Sequence, residues 1–249
     1  MDNVSELLKT VLPVDWLWSV MPVGASTQAV FIDELYWFLI ISCSILFLLV
    51  VVPLCFIVFY YRRKTPTQRA KSQKDHNFWL ESMWTFLPFI YLAVLFVWGF
   101  YQYMDLFVST QDAMELKVIG QKWQWSVDYP KDDVMVAGVG AVIAVPVNRP
   151  VKLLMASQDV IHSFFIPNMR VKQDVVPGRY STLWFKPTEI GEYPIFCAEY
   201  CGDLHSLMMA KLRVLSESDY DKWLDEQKSA NDNIPLPELG KKLYEKTLG

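Results

Sequence analysis

The pattern of hydrophobic positions divides the chain into an apolar first part and an alternating second part. Residues 35–61 contain no charged side chain over 27 positions, and residues 82–104 contain none over 23. Each run exceeds the roughly 20 residues that a helix needs to cross a bilayer. Aromatic residues cluster at the ends of both runs, as membrane interfaces favour. The pattern predicts a transmembrane hairpin over residues 31–106, preceded by an interfacial segment over residues 1–30.

The segment between the two apolar runs, residues 62–81, indicates how the hairpin is oriented. Its first fifteen residues, RRKTPTQRAKSQKDH, carry six Lys or Arg side chains and one Asp. Because basic loops stay on the cytoplasmic side of a membrane, we expect this loop to lie inside and both termini outside. The sequence therefore predicts a protein of a bacterial inner membrane that presents residues 107–249 to the periplasm.

Beyond the hairpin the pattern changes to short alternating runs rich in β-branched and aromatic residues. These runs are separated by turn-forming Asn-Arg-Pro, Pro-Gly and Gly-Glu sequences, which is typical of a β-sandwich or barrel. We assign this all-β domain to residues 107–216. His162 is expected in a loop between two strands, and the segment CAEYC follows a strand. Residues 217–249 are polar and predict a C-terminal helix and linker.

Composition agrees with a membrane anchor joined to a water-exposed domain. Of the 249 residues, 53% are hydrophobic and 20% are charged, which is too apolar for an ordinary soluble protein and too charged for a purely membrane-embedded one. The net charge of −4 gives no basic surface for nucleic acid, so nucleic-acid binding is not expected.

The chemistry of the chain is concentrated in residues 197–208, CAEYCGDLHSLM, which carry Cys197, Cys201, His205 and Met208. A disulfide between the cysteines suits an oxidising compartment but leaves the histidine and the methionine unexplained. Zinc accepts cysteine and histidine, yet methionine is not a usual zinc ligand. Thiolate, imidazole and thioether together favour copper. With His162 as a second imidazole, the set predicts two copper ions bridged by two thiolates.

Several motifs of the chain resemble subunit II of the haem-copper cytochrome c oxidases. They are the two-span hairpin, WQW at 123–125, DVIHSFFIP, VVPGRY and CAEYCGDLHS. The resemblance implies a cupredoxin-like Greek-key fold and the dinuclear copper centre called CuA. Its ligands would be His162, Cys197, Cys201, His205, Met208 and the backbone carbonyl of Glu199. It also implies an oxidase subunit that takes electrons from cytochrome c and passes them to haem in subunit I, where oxygen is reduced and protons are pumped.

Four further positions acquire roles through the same resemblance. Trp123 is similar to the surface aromatic that receives the electron from cytochrome c, although a tryptophan in a strand more often packs in a core. The carboxylate of Glu199 is similar to a magnesium ligand shared with subunit I. Glu81 resembles a carboxylate at the entrance of a proton path. Asp174 resembles a carboxylate that lies near the metal site without binding the metal.

The resemblance also implies partners. They are membrane lipid, subunit I with haem a and CuB, subunit III, and a cytochrome c that four carboxylates could attract to an acidic face: Asp128, Asp132, Asp133 and Asp159. The final residues, GKKLYEKTLG, resemble the helix that precedes the haem-attachment motif where subunit II carries a fused cytochrome c. We therefore expect a haem c only if such a domain follows residue 249.

Two alternative functions use the same architecture. A quinol-oxidase-like subunit II shares the hairpin and the fold but lacks the copper ligands, whereas this chain has them. A membrane copper-binding protein or chaperone would not require a dinuclear site.

Overall fold

The structure is a computed structural model that describes residues 21–69, 72, 74–108 and 112–232. The predicted segments at residues 1–20 and 233–249 lie outside these described residues. By internal contacts the described chain forms two units, which are taken separately below: a helical unit of residues 33–103, and a β-rich unit of residues 21–32 and 104–232.

Two long helices form the helical unit. α1 spans Thr27–Tyr60 and α2 spans Phe78–Phe107, and both are long and apolar enough to cross a membrane. Each continues beyond the charge-free run that predicted it. α1 and α2 contact each other through a 2.6 Å hydrogen bond between the Ser42 and Tyr91 hydroxyls and through the rings of Phe38 and Trp98. Hydrogen bonds and close packing of this kind join helices in lipid, where the hydrophobic effect does not drive association. The predicted transmembrane hairpin is confirmed.

Ten strands build two five-stranded sheets in the β-rich unit. One has the order β3-β2-β1-β5-β8 and the other β4-β10-β9-β6-β7. The strands are β1 Met114–Gln121, β2 Gln124–Tyr129, β3 Val134–Gly138, β4 Val142–Pro146, β5 Val151–Ser157, β6 His162–Ile166, β7 Val171–Val175, β8 Ser181–Phe185, β9 Gly191–Cys197 and β10 Met209–Leu215. The polar helix α3, Glu217–Asp232, contacts β3, β4 and β10. The predicted cupredoxin-like sandwich is confirmed.

Alternation along the strands explains how the sandwich closes. β5, for example, buries every second residue from Val151 to Ser157, so one of its faces joins the shared core. Tyr129 is fully buried in that core, and its hydroxyl donates to the Ala144 carbonyl and accepts from the Ala144 N–H, both at 3.0 Å. Because β4 pairs only with β10, the tyrosine satisfies backbone groups that this edge strand would otherwise bury unpaired.

Ala25 and Ser26, which we call the strap, precede α1 and form hydrogen bonds with the sandwich. Ala25 exchanges backbone hydrogen bonds with Asn168 and Thr188, and the Ser26 hydroxyl donates to the Met169 carbonyl at 2.8 Å. Both strap residues are almost fully buried. The part of the predicted interfacial segment that the structure describes therefore adds to the β-rich unit.

Candidate metal centre

Strand pairing brings the predicted ligands to one end of the second sheet. Cys197 is the last residue of β9 and His162 is the first residue of β6. These strands run antiparallel with Phe164 opposite Cys197, so the start of β6 lies beside the end of β9. His162 was expected in a loop, but it occupies a strand position, which fixes its backbone. The β9–β10 connection, residues 198–208, supplies the remaining candidates.

Three side chains form the centre of the cluster. The sulfur atoms of Cys197 and Cys201 lie 3.8 Å apart, and the His162 Nδ1 atom lies 3.9 Å from the Cys197 sulfur. All three residues are buried, and their ligand atoms lie within 4.8 Å of one another. Both thiols are free. The arrangement is therefore a compact His-Cys-Cys group from two strands and one loop.

The loop adds donors around these sulfurs. His205 places its Nδ1 atom 3.5 Å from the Cys201 sulfur, and the thioether sulfur of Met208 lies 3.8 Å from the same atom. The backbone carbonyl of Glu199 lies 3.3 Å from the Cys197 sulfur. Each cysteine thus has one imidazole beside it: His162 at Cys197, and His205 at Cys201.

Without a cation, the two thiols resist simultaneous ionisation. Burial acts to raise the pKa of the Cys197 thiol, but hydrogen bonds with His162 and the Ser163 backbone outweigh it and lower the pKa to about 6. Burial and the neighbouring Cys197 charge raise the pKa of the Cys201 thiol to about 12. A bound metal cation deprotonates a coordinating thiol outright, so it would stabilise the second thiolate.

The donor set fits copper. Two thiolates, two imidazoles, a thioether and a carbonyl combine soft and borderline ligands, whereas magnesium and calcium prefer oxygen. The fully buried Met208 is not a usual zinc ligand.

Asp159 is a further residue of the site, because its carboxylate is hydrogen-bonded to the candidate ligand His162. Its Oδ1 atom accepts a 2.8 Å hydrogen bond from His162 Nε2, and its Oδ2 atom accepts one of 2.7 Å from the Lys122 N–H. Hydrogen bonds to the far nitrogen commonly orient metal-binding histidines. An acid three residues before a candidate ligand, in DVIH, was the available signal. The sequence predicts a docking role for Asp159 instead.

Trp123 lies in the tight turn between β1 and β2 and is half-buried. Its indole packs on Gly202, the residue after Cys201, so closely that an added Cβ there would lie 3.3 Å from the ring. The fully buried tryptophan of the WQW motif is Trp125, which contacts the rings of His162 and Phe164 edge-on. The motif therefore places the Trp125 ring in the core and the Trp123 ring against Gly202 of the β9–β10 connection.

Two other predicted carboxylates have local partners. Asp174 accepts a 2.8 Å hydrogen bond from the hydroxyl of Ser163, which follows His162 in the chain. It therefore contacts the neighbour of a candidate ligand rather than a ligand. Glu81 accepts a hydrogen bond from the Asn77 N–H at 2.8 Å in the first turn of α2, where acidic side chains stabilise helices. The Glu199 carboxylate belongs to an exposed residue.

The structure does not gather the four predicted docking acids into one face. Asp128 lies 3.8 Å from Lys117 across the β1–β2 pair, and Asp132 lies 3.8 Å from Lys228. Asp132 and Asp133 follow the last residue of β2, whereas Trp123 precedes its first residue. The length of this six-residue strand, about 20 Å, therefore separates the two acids from Trp123. Of the four, Asp159 is the one bonded to a candidate metal ligand.

Comparison with known proteins gives one consistent result. The model "Cytochrome C oxidase subunit II, transmembrane domain" matches residues 6–101, and "Cytochrome C oxidase subunit II, periplasmic domain" matches residues 114–214. A cytochrome c oxidase subunit 2 of Synechocystis sp. is 28% identical over 98% of this chain and 87% of its own. An alternative cytochrome c oxidase subunit 2 of Bradyrhizobium diazoefficiens is 28% identical over 86% of this chain and 85% of its own. The crystal structure of the periplasmic domain of subunit II of cytochrome oxidase from Bradyrhizobium japonicum is 28% identical, covering 49% of this chain and 99% of that domain with a TM-score of 0.47.

Proposed function

Because the chain belongs to the cytochrome c oxidase subunit II family, we propose that it receives electrons from a cytochrome c at a dinuclear copper centre and passes them to haem in subunit I. Oxygen reduction to water and proton pumping would take place in that partner. The observation that carries this proposal is the pair of buried cysteines whose sulfurs lie side by side with one imidazole beside each. A quinol-oxidase-like subunit would not need such a cluster.

Each residue of the cluster has a defined task in this proposal. The sulfurs of Cys197 and Cys201 would provide thiolate ligands for copper, His162 and His205 would provide imidazole ligands, and Met208 and the Glu199 carbonyl would complete the site. Copper bound there supplies reversible one-electron chemistry. Burial of both cysteines excludes water, and the strands that carry His162 and Cys197 limit movement of these ligands.

Copper stoichiometry of the purified full chain tests the proposal. We expect two copper ions per chain and an electron paramagnetic resonance spectrum of one unpaired electron shared by two nuclei. Cys201→Ser should abolish that spectrum, whereas Cys55→Ser, which alters an exposed thiol in α1, should leave it unchanged. A protein that binds only zinc, or that holds Cys197 and Cys201 as a disulfide with no copper, would refute the dinuclear site and favour a different role.

Electron delivery through Trp123 is supported by its position on the copper loop. The indole touches Gly202, one residue from Cys201, and part of its surface remains accessible. Trp123→Phe should therefore slow electron transfer from cytochrome c while copper content stays at the wild-type level. Equal slowing in a Trp184→Phe control would indicate a general packing effect instead.

Orientation follows from the basic loop at residues 62–81. We propose that it faces the cytoplasm and that residues 107–216, as one periplasmic copper domain, face the cytochrome. In a Cys43→Ser, Cys55→Ser background, Lys64→Cys should add labelling by an impermeant maleimide in inverted vesicles only. The same background without Lys64→Cys is the control for labelling of Cys197 and Cys201. Added labelling in right-side-out cells instead would reverse the topology.

Further assignments rest on the family alone. We propose that Glu199 also offers its carboxylate to a magnesium ion shared with subunit I, that Glu81 receives protons near the start of α2, and that Asp174 supports the metal region through Ser163. Subunit III, membrane lipid and, where a C-terminal domain follows, a haem c are the remaining expected partners. Docking of cytochrome c by the dispersed acids should appear as a salt-dependent association rate.

A further inference from the structure

One carboxylate links the back of a proposed metal ligand to the turn of the proposed electron-receiving tryptophan. Asp159 lies in the β5–β6 connection, with its side chain 28% exposed. Oδ1 accepts from His162 Nε2 at 2.8 Å and from the Val160 N–H at 2.6 Å. Oδ2 accepts from the Lys122 N–H at 2.7 Å. Both oxygens are therefore engaged by donors from different parts of the sandwich.

The bond to His162 determines which nitrogen faces the cysteines. A carboxylate accepts hydrogen bonds, so the proton of a neutral imidazole is held on Nε2. Nδ1 then carries the lone pair, and Nδ1 is the atom that lies 3.9 Å from the Cys197 sulfur. In that tautomer the ring is ready to bind a cation without moving. Without the carboxylate, the proton would be free to occupy Nδ1 and block the ligand atom.

The bond to Lys122 acts on a different element. Lys122 and Trp123 form the two-residue turn that joins β1 to β2. The neighbouring backbone bond from the Gln158 N–H to the Gly120 carbonyl, at 3.0 Å, joins the same two segments. Asp159 therefore fixes the turn that places the Trp123 indole on Gly202.

We propose that Asp159 is a positioning residue, which holds the His162 imidazole with Nδ1 toward the cysteines and at the same time fastens the turn that carries Trp123. The metal part of this proposal rests on the proposed copper function, whereas the tautomer and the turn do not. The role differs from that of a docking charge because it depends on two hydrogen bonds and would persist without a cytochrome.

Labelled full-length protein without metal gives the direct test. The chain has only three histidines, so ¹⁵N-histidine spectra contain few signals, and a His76→Gln variant identifies one of them. We expect a hydrogen-bonded Nε2–H signal for His162 in the wild type and the loss of that hydrogen bond in Asp159→Ala. With 5-fluorotryptophan, the ¹⁹F signal that Trp123→Phe removes should shift in Asp159→Ala. Copper affinity of that variant should fall about 10- to 100-fold.

Asp159→Asn and a control variant, Asp225→Asn, show whether the two signals depend on the Asp159 carboxylate. An asparagine offers one carbonyl and one NH₂, so Asp159→Asn can accept from His162 or from Lys122 but not well from both. It should therefore change at least one of the two signals. Asp225→Asn removes an exposed carboxylate of α3 and should change neither. If Asp159→Ala folds with both signals unchanged, or if it fails to fold and Asp159→Asn leaves both unchanged, the proposal is wrong. A wild type that shows the tautomer but binds no copper would refute the copper function alone.

Discussion

A substitution of Gly120 should disturb the metal region, although Gly120 is not itself a candidate ligand. The residue lies on β1 opposite Trp125 on β2, and it faces the imidazole of His162 from the other sheet. A Cβ built at this position would lie 3.0 Å from Trp125 Cζ3 and 3.2 Å from His162 Cδ2. Only a residue without a side chain allows both rings to approach the strand so closely.

The size of the effect follows from these contacts. Carbon atoms pack best at about 3.5–4.0 Å, so Gly120→Ala requires the rings or the strand to move by a few tenths of an ångström. Overpacking of a core in this way costs about 1–3 kcal/mol. With a urea dependence of about 2 kcal/mol per molar, the unfolding midpoint should fall by about 0.5–1.5 M. Because His162 carries one of the two contacts, copper affinity should fall as well.

A double-mutant cycle tests the reasoning behind the prediction. Trp125→Phe removes the ring that carries Cζ3, so the added methyl group should cost less in that background than in the wild type. Urea unfolding of the full chain in detergent gives the stabilities, and copper titration reports on His162. Equal costs in both backgrounds, or an unchanged midpoint with unchanged copper affinity in Gly120→Ala, would refute the close-approach argument.

Three further substitutions probe other parts of the site and fold. Gly202 has φ of +123°, which L side chains rarely adopt, so Gly202→Ala should cost about 1–3 kcal/mol in urea unfolding and shift the ¹⁹F signal of Trp123; an unchanged signal would contradict the packing. Tyr129→Phe leaves the Ala144 N–H and carbonyl unpaired and should lower the free energy of unfolding by about 1–3 kcal/mol without changing copper content. Met208→Leu keeps the buried volume and should retain both copper ions while altering the reduction potential, and loss of copper would show that the thioether is an essential ligand.

The features that sequence predicted well are local in the chain. A membrane span is set by the composition of one continuous segment, and the spans were confirmed, with helices that continue beyond the charge-free residues. The metal loop was equally visible because four of its candidate ligands fall within twelve residues. Even His162, which lies 35 residues before Cys197, could be named because the chain offers few histidines.

The features that sequence could not predict depend on strand pairing. The bond between Asp159 and Lys122 joins residues 37 positions apart, and no local pattern indicates it. The same holds for the docking acids, because Asp128, Asp132 and Asp133 lie at one end of β2, whereas Asp159 contacts the turn at its other end. β6 was also missed as the element of His162, since five residues beside a loop motif give too short a pattern for periodicity to decide.

The packing around the cluster restricts the movement of both imidazoles. Gly120 and Trp125 confine the His162 ring from one side, and Asp159 holds its far nitrogen. His205 opens a short 3₁₀ turn that is tied back to Gly202 by a backbone hydrogen bond of 3.1 Å. The two imidazoles are thus held by different elements, one by the sandwich and one by the loop. Substitutions at Asp159 should therefore release the His162 ring directly, whereas substitutions at Gly202 should act first on the His205 side.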